Sequence, residues 1–273
     1  MNRYTWRSAS LESVMFMVAL LFLFPIYILI NLAIRPADDL SSPVAPTKSP
    51  TFLNFVDAWN QASIGGAMAN SMIITVVSVA LLVLLSSLAA YPLARLTSKW
   101  SSLAFYGFMV GLLVPFQLGL IPLYKMMRDI GLLGSILPLI IIYVGLRIPF
   151  SLFLYVQFLR QIPLDYEEAA AIDGCSPARA FFRVVFPLLR PVTGTVVILN
   201  GLFIWNDFLK PLLYLSGTSN QTLPVAIYTF VGEYESQWEL IFAALILGAL
   251  PVLIAFFFLQ KSLIQGFSSG VKG

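Results

Sequence analysis

Residues 70–96 read NSMIITVVSVALLVLLSSLAAYPLARL, and no charged side chain occurs from Asn70 to Ala94. An unbroken apolar run of about 20 residues is the length of a bilayer-crossing helix. Only a helix satisfies all its backbone N–H and C=O groups within a single lipid-facing segment. The short alternating strands of an outer-membrane barrel are absent. This one stretch therefore predicts an all-α integral membrane protein.

The rest of the chain agrees. Of its 273 residues, 59% are hydrophobic and 11% charged, against about 25% charged in a typical soluble domain. A mean hydropathy of +0.88 is too apolar for a protein that hides its apolar side chains in one core. Further apolar blocks occupy about 11–34, 103–123, 136–159, 187–215 and 238–259, and with 67–93 they predict six spans. The first block follows Arg3 and Arg7. It is too long for a signal-peptide core and has no small-x-small cleavage site before Arg35, so a retained span is expected.

Six spans put both termini on one side, and basic residues identify that side. With the N-terminus inside, the inner segments carry Arg3, Arg7, Arg95, Lys99, Arg160, Arg179, Arg183, Arg190, Lys261 and Lys272. The outer side carries the shorter set Arg35, Lys48, Lys125, Arg128 and Lys210. The bias predicts an N-in, C-in chain. The loop containing SSPVAPTKSP, rich in Pro and Ser, then lies outside and reads as an irregular connector.

Several functions are excluded by composition. There is no histidine and a single cysteine, Cys175, which removes the usual metal clusters, the Ser-His and Cys-His nucleophile pairs and any internal disulfide. No GxxxxGK[ST] loop is present to bind ATP. A net charge of +3 reflects the inner loops and implies no nucleic-acid partner. No enzyme activity, bound cofactor or metal is expected of this chain.

Against that background the run LDYEEAAAIDGCSPARAFFRVVFPLLRP, residues 164–191, stands out as polar. Asp165 is placed to cap a helix with Glu168 three residues on, and Glu167 and Glu168 fall in a first turn where the helix dipole favours acids. Ala169, Ala170 and Ala171 give a smooth, strongly helical surface, and Gly174 is placed to end it. Ser176-Pro177 starts a second helix, with Phe181, Phe182, Val184 and Val185 as its apolar contacts and Pro187 opening the fifth span. On physics alone the run is either an ordinary loop with two good helices or a rigid docking element.

The stretch EEAAAIDGCSPARAFFRVVFPLL resembles the EAA motif of bacterial binding-protein-dependent ABC importer permeases. Glu168, Ala169, Ala170, Gly174, Val184 and Pro187 fall on the motif positions, with Val184 for the usual Ile and Phe186 for the usual Leu. Asp173 before the glycine is similar to the sugar-transporting branch. Residues 70–96, IPLYKMMRDIGLLGS, IPFSLFLYVQFLRQIP, WNDFLKPLLYL, TLPVAIYTF and the terminal GVKG resemble, in order, the MalG-like permeases of carbohydrate uptake systems.

The resemblance implies a six-span permease subunit with a cytoplasmic coupling-helix loop between spans four and five. Its expected parts are a cytoplasmic N-terminus (1–10), a first span and external loop (11–66), a transmembrane core (67–262) holding the coupling loop (161–186), and a cytoplasmic tail (263–273). Glu167, Glu168, Ala169, Ala170, Ala171, Asp173, Gly174, Ser176, Phe181 and Pro187 would meet an ATPase. The partners implied are a second, MalF-like permease, two ATPase subunits or an ATPase homodimer carrying ATP and Mg, and an extracytoplasmic substrate-binding protein, in a bacterial or archaeal plasma membrane.

Charged or polar residues within spans are costly and mark cavities or partners. Arg147 and Asp207, at about 1.5 Å per residue, sit near or somewhat outside mid-membrane. They are expected either to pair with each other, structurally or on the translocation route, or to share a wet cavity with Asn200 and Asn206. Lys210 is expected to snorkel outward. Gly107 and Gly111, four apart, read as a close-packing pair. The rival reading is an autonomous ion-coupled transporter that uses Arg147 and Asp207 as its coupling pair.

Overall fold

The computed structural model describes residues 6–232 and 236–269, which form helices and turns with no strand among them. Residues 1–5 of the expected N-terminal segment and 270–273 of the expected tail lie outside the described residues. Four helices are long and apolar enough to cross a membrane: Ser10–Ala33 within α1 (Trp6–Ala33), α3 (Ile64–Arg95), α6 (Leu137–Leu159), and Trp238–Phe258 within α13 (Trp238–Ser269). Two bent pairs raise the number to six if each is one span. These are α4 (Lys99–Leu113) with α5 (Phe116–Asp129), bent by 93°, and Pro177–Leu188 with α10 (Arg190–Trp205), bent by 73°.

The bends correct two expected spans. The block 103–123 is not one straight helix, because Pro115 pushes Val114 into extended backbone (φ −80°, ψ 115°). The block 187–215 is interrupted twice. Leu189 leaves helical ψ just ahead of Arg190-Pro191, where the proline lacks an N–H to continue the ladder. The chain breaks again at Asn206–Phe208 before α11 (Leu209–Leu215). Pro187 accordingly lies in the short α9 (Phe186–Leu188) rather than opening the span.

The chain divides into two compact units. In the first, Met1–Gly65 with Ala226–Leu250, an 18-residue apolar window of α1 contains no buried residue. Its end is anchored by polar side chains. Asn31 donates to the carbonyls of Pro43 and Ala45 and accepts from the Thr47 amide. Arg35, 4% exposed, donates to the Ser41, Ser42 and Ala45 carbonyls. Asn54, on α2 (Leu53–Gln61), donates to the carbonyls of Ala33 and Arg35, which the helix end would otherwise leave unpaired. The Pro/Ser-rich loop is thus irregular in backbone yet closely bonded. Hydrogen bonds from Ser41 hold the Asp39 carboxyl below its usual range.

The second unit, Gly66–Val225 with Pro251–Gly273, is built around α6, half of whose apolar window is buried. α6 packs against α10, α4 and α11. One cluster joins Ile74, Leu82, Leu139, Tyr143, Ile204 and Leu215. A second joins Ala90, Phe105, Tyr155, Val156, Phe181 and Val196. The Tyr155 hydroxyl donates to Thr193 Oγ1 at 3.0 Å, a polar stitch between α6 and α10. Gly134, at φ +83°, donates its amide to the Tyr214 carbonyl, closing the α5–α6 turn onto α11.

Candidate functional site

Two groups of residues in the second unit carry polar chemistry. The first is the connection from α6 to α10. The α6 helix ends at Leu159, and α7 (Asp165–Ile172) begins after Pro163. Leu164 occupies the cap position, and its carbonyl accepts from the amides of Glu167 and Glu168 at 2.8 and 3.0 Å. Asp165 is therefore the first helical residue and caps nothing with its side chain, a correction to the expected capping box. It still adds its charge, with Glu167 and Glu168, to the positive end of the helix dipole.

The other end of α7 follows expectation. Gly174 adopts φ +78°. Its amide donates to the Ala171 carbonyl, and that of Cys175 to Ala170 at 2.9 Å, a Schellman closure that favours glycine. Ser176 is extended and its carbonyl accepts from Ala180, but its side chain makes no cap; Pro177 takes the first position of α8 (Pro177–Ala180). A π-helical turn, Phe181–Val185, then leads into α9.

The faces of α7 differ in exposure. Ala170 is buried and Glu167 half-buried, while Glu168, Ala169, Ala171, Ile172 and Asp173 are exposed. Ile172 is 87% exposed, and the large apolar side chains of Leu164, Tyr166 and Phe182 are about half exposed. Exposed acids and exposed apolar side chains thus share the outer side of α7.

Glu167 accounts for the inward face. Its Oε2 accepts from the Tyr91 hydroxyl at 2.6 Å. Its Oε1 accepts from Arg95 Nε at 2.8 Å and lies 2.7 Å from Nη2. The Phe181 ring packs 5.3 Å from that of Tyr91. The sequence places Glu167 among the residues expected to meet an ATPase and assigns Tyr91 and Arg95 no contact with it. The available signal was their spacing of four on the last turn of α3, which puts both on one face.

The second group lies midway along α6 and α10. Arg147 donates from Nε to Asn200 Oδ1 at 2.7 Å. Asn200 is fully buried and donates onward to Ser151 Oγ and the Val196 carbonyl. The Arg147 guanidinium sits over the rings of Phe150 and Phe203, at 4.6 and 4.4 Å. Among the described residues it has no carboxylate partner.

Asp207 does not supply one. Its Oδ2 accepts from the Tyr143 hydroxyl at 2.6 Å and from Lys210 Nζ at 2.9 Å. The expected Arg147–Asp207 pair is therefore not formed, because Lys210 is three residues from Asp207 and reaches it first. Nor does Lys210 snorkel outward: it is 6% exposed and faces the rings of Phe116, Tyr143 and Phe203. Asn206 is exposed, with its amide turned back to the Leu202 carbonyl.

Elsewhere in this unit, Met72, Thr75, Gly201, Trp205, Pro251 and Phe256 help line a cavity of about 680 Å³ whose surface is almost wholly apolar. It offers a polar solute few partners. No group of three or more acidic or cysteine side chains able to hold a metal occurs among the described residues.

Residues 82–269 match the family described as binding-protein-dependent transport system inner membrane component. The chain is 39% identical over 251 residues to the melibiose/raffinose/stachyose import permease protein MelC of Bacillus subtilis, covering 91% of each chain. It is 34% identical to the probable starch degradation products transport system permease protein AmyC of Thermoanaerobacterium thermosulfurigenes, covering 93% of this chain and 92% of that one. In fold it is similar to a bacterial ABC transporter involved in importing the acidic polysaccharide alginate, with a TM-score of 0.82 at 20% identity over 96% of this chain and 100% of the other.

Proposed function

Because this chain belongs to the binding-protein-dependent transport system inner membrane components, we propose that it is the permease subunit of an ATP-driven carbohydrate importer and forms half of a translocation pathway. The observation that carries the reading is the family match across 82–269, a region that contains α7 with its open, small-sided face. Sugar as the substrate class is supported by the relatives named for melibiose, raffinose and stachyose and for starch degradation products.

In this reading each bent helix pair is one span, giving six. Both termini and α7 face the cytoplasm, the side to which the basic residues Arg95, Arg160, Arg179 and Arg183 are assigned. The face formed by Glu168, Ala169, Ala171, Ile172 and Asp173 docks on an ATPase subunit. Small side chains let the partner's surface come close, the apolar ones contribute burial, and the acids set the register. ATP binding and hydrolysis, with Mg, belong to two such subunits. A second permease completes the pathway and an extracytoplasmic binding protein delivers the sugar.

Arg147 and Asn206 line the route between outward- and inward-open states, with buried Asn200 holding Arg147 from behind and the enclosed Asp207–Lys210 pair setting the break beside it. A guanidinium with two terminal nitrogens to spare can donate to successive sugar hydroxyls. The rival, ion-coupled reading needs Arg147 and Asp207 as a proton- or ion-exchanging pair, and Lys210 already neutralises Asp207.

Purification in mild detergent followed by mass spectrometry tests the assignment. An ATPase with a GxxxxGK[ST] loop and a second permease are expected in stoichiometric amounts. A chain that purifies alone and transports without ATP would overturn it.

A further inference from the structure

We propose that Glu167, Arg95 and Tyr91 form a latch that makes α7 and the last turn of α3 move as one body, so that a displacement applied to α7 enters the membrane core through α3. The inference rests on α7 being the docking element. It adds a route: by chain connectivity alone, α7 would act on α6 and α10.

Three observations carry it. First, two donors one helical turn apart on α3 converge on one carboxylate from 72 and 76 residues away in sequence. The ion pair is enclosed, with the Arg95 and Glu167 side chains each 13% exposed. Such a pair is screened far less than a surface one and holds a direction as well as a distance.

Second, no other side chain of α7 hydrogen-bonds to another element among the described residues. Without Glu167, α7 would keep its packing against the π-helical turn and α8, with Ala170 as its buried side chain, and no side-chain hydrogen bond to fix its direction. Third, the same turn of α3 is gripped again from beyond the Schellman turn. Phe181, 3% exposed, packs on the Tyr91 ring at 5.3 Å. Load is received on the face bearing Glu168 and Ile172 and passed on from the opposite face. Glu167 is on this account a positioning residue, not one that meets the ATPase.

The test is a distance measurement in the assembled transporter in lipid nanodiscs. Spin labels go at Leu88→Cys on α3 and Tyr166→Cys on α7, in a Cys175→Ser background that removes the chain's single cysteine. Both sites are substantially exposed. The expected result is one narrow distance that is the same without nucleotide and with vanadate-trapped MgATP. Glu167→Ala should lose the narrow distance and gain a nucleotide-dependent shift, while ATP hydrolysis by the assembly persists. The Glu167→Arg, Arg95→Glu exchange should restore the narrow distance. Tyr91→Phe, which keeps the ion pair and the Phe181 contact, should broaden the distribution without shifting it.

A narrow, nucleotide-insensitive distance in Glu167→Ala would overturn the latch, as would a parent distance that itself shifts with nucleotide. Loss of hydrolysis along with the distance would place Glu167 at the docking surface instead. If no ATPase purifies with the parent chain, the docking reading fails, and the nucleotide-free comparison still decides whether the latch exists.

Discussion

Lys210 Nζ lies 2.9 Å from Asp207 Oδ2, inside the second unit and three residues along the chain. The pair is enclosed, at 7% and 13% side-chain exposure, and Tyr143 adds a hydrogen bond to the same oxygen. It fixes the break between α10 and α11, where the backbone leaves the helix, and removes Asp207 from the reach of Arg147 in charge terms.

Breaking that pair from one side should therefore cost more than removing it. Lys210→Met leaves a buried carboxylate without its cation and is expected to destabilise the chain by about 3–5 kcal/mol. Adding Asp207→Asn should recover most of that loss. Thermal unfolding of the purified assembly checks it. Exchanging Arg147 and Asp207 should not rescue uptake, and rescue would show that the two residues do pair.

Arg147→Lys keeps the charge but cannot reproduce the Nε–Asn200 hydrogen bond together with the seat between Phe150 and Phe203. Hydrogen bonds to charged groups contribute about 1.5–3 kcal/mol, so uptake should fall by roughly tenfold or more. Co-purifying ATPase should be unaffected. An uptake assay paired with a pull-down separates the two effects.

Gly174 should tolerate asparagine or aspartate better than other side chains. At φ +78° a residue with a β-carbon costs about 1–2 kcal/mol, and asparagine bears the conformation best. Gly174→Val, whose β-branched side chain tolerates this conformation poorly, is expected to loosen the end of α7 and abolish uptake while membrane insertion remains normal. Normal uptake would mean that the turn has no part in transport.

The two neighbouring glutamates should behave differently. Glu168 is exposed, so Glu168→Lys should leave thermal stability within about 0.5 kcal/mol and still block docking. Glu167→Ala uncovers a largely enclosed arginine and should lower stability by roughly 3 kcal/mol. Equal stability losses in the two variants would contradict this division of roles.

The helical, membrane-spanning character was legible because unbroken apolar runs constrain the backbone so strongly. The breaks were less so. Hydropathy is blind to Val114-Pro115 and to Arg190-Pro191, where the disturbance is in backbone geometry and not in polarity. Gly174 was legible because a helix end needs one particular φ. The latch was not, since nothing local to EEAAA says that Arg95 lies beside it; the pairing is made by the return of the chain past α6. The enclosure of Lys210 departs from the expected snorkelling because its cation is met by an acid three residues earlier, a spacing that the sequence does carry. Asn31 and Arg35 likewise organise a loop whose composition reads as slack.

The most direct test of the account is uptake of radiolabelled melibiose, raffinose and maltooligosaccharides into proteoliposomes. These would hold the assembled transporter and its binding protein, with ATP enclosed and all ion gradients collapsed by ionophores. The account predicts uptake of at least one of these sugars that needs ATP, ignores the ionophores and disappears with Glu168→Lys. Uptake that proceeds without ATP and stops when the ion gradients are collapsed would contradict it.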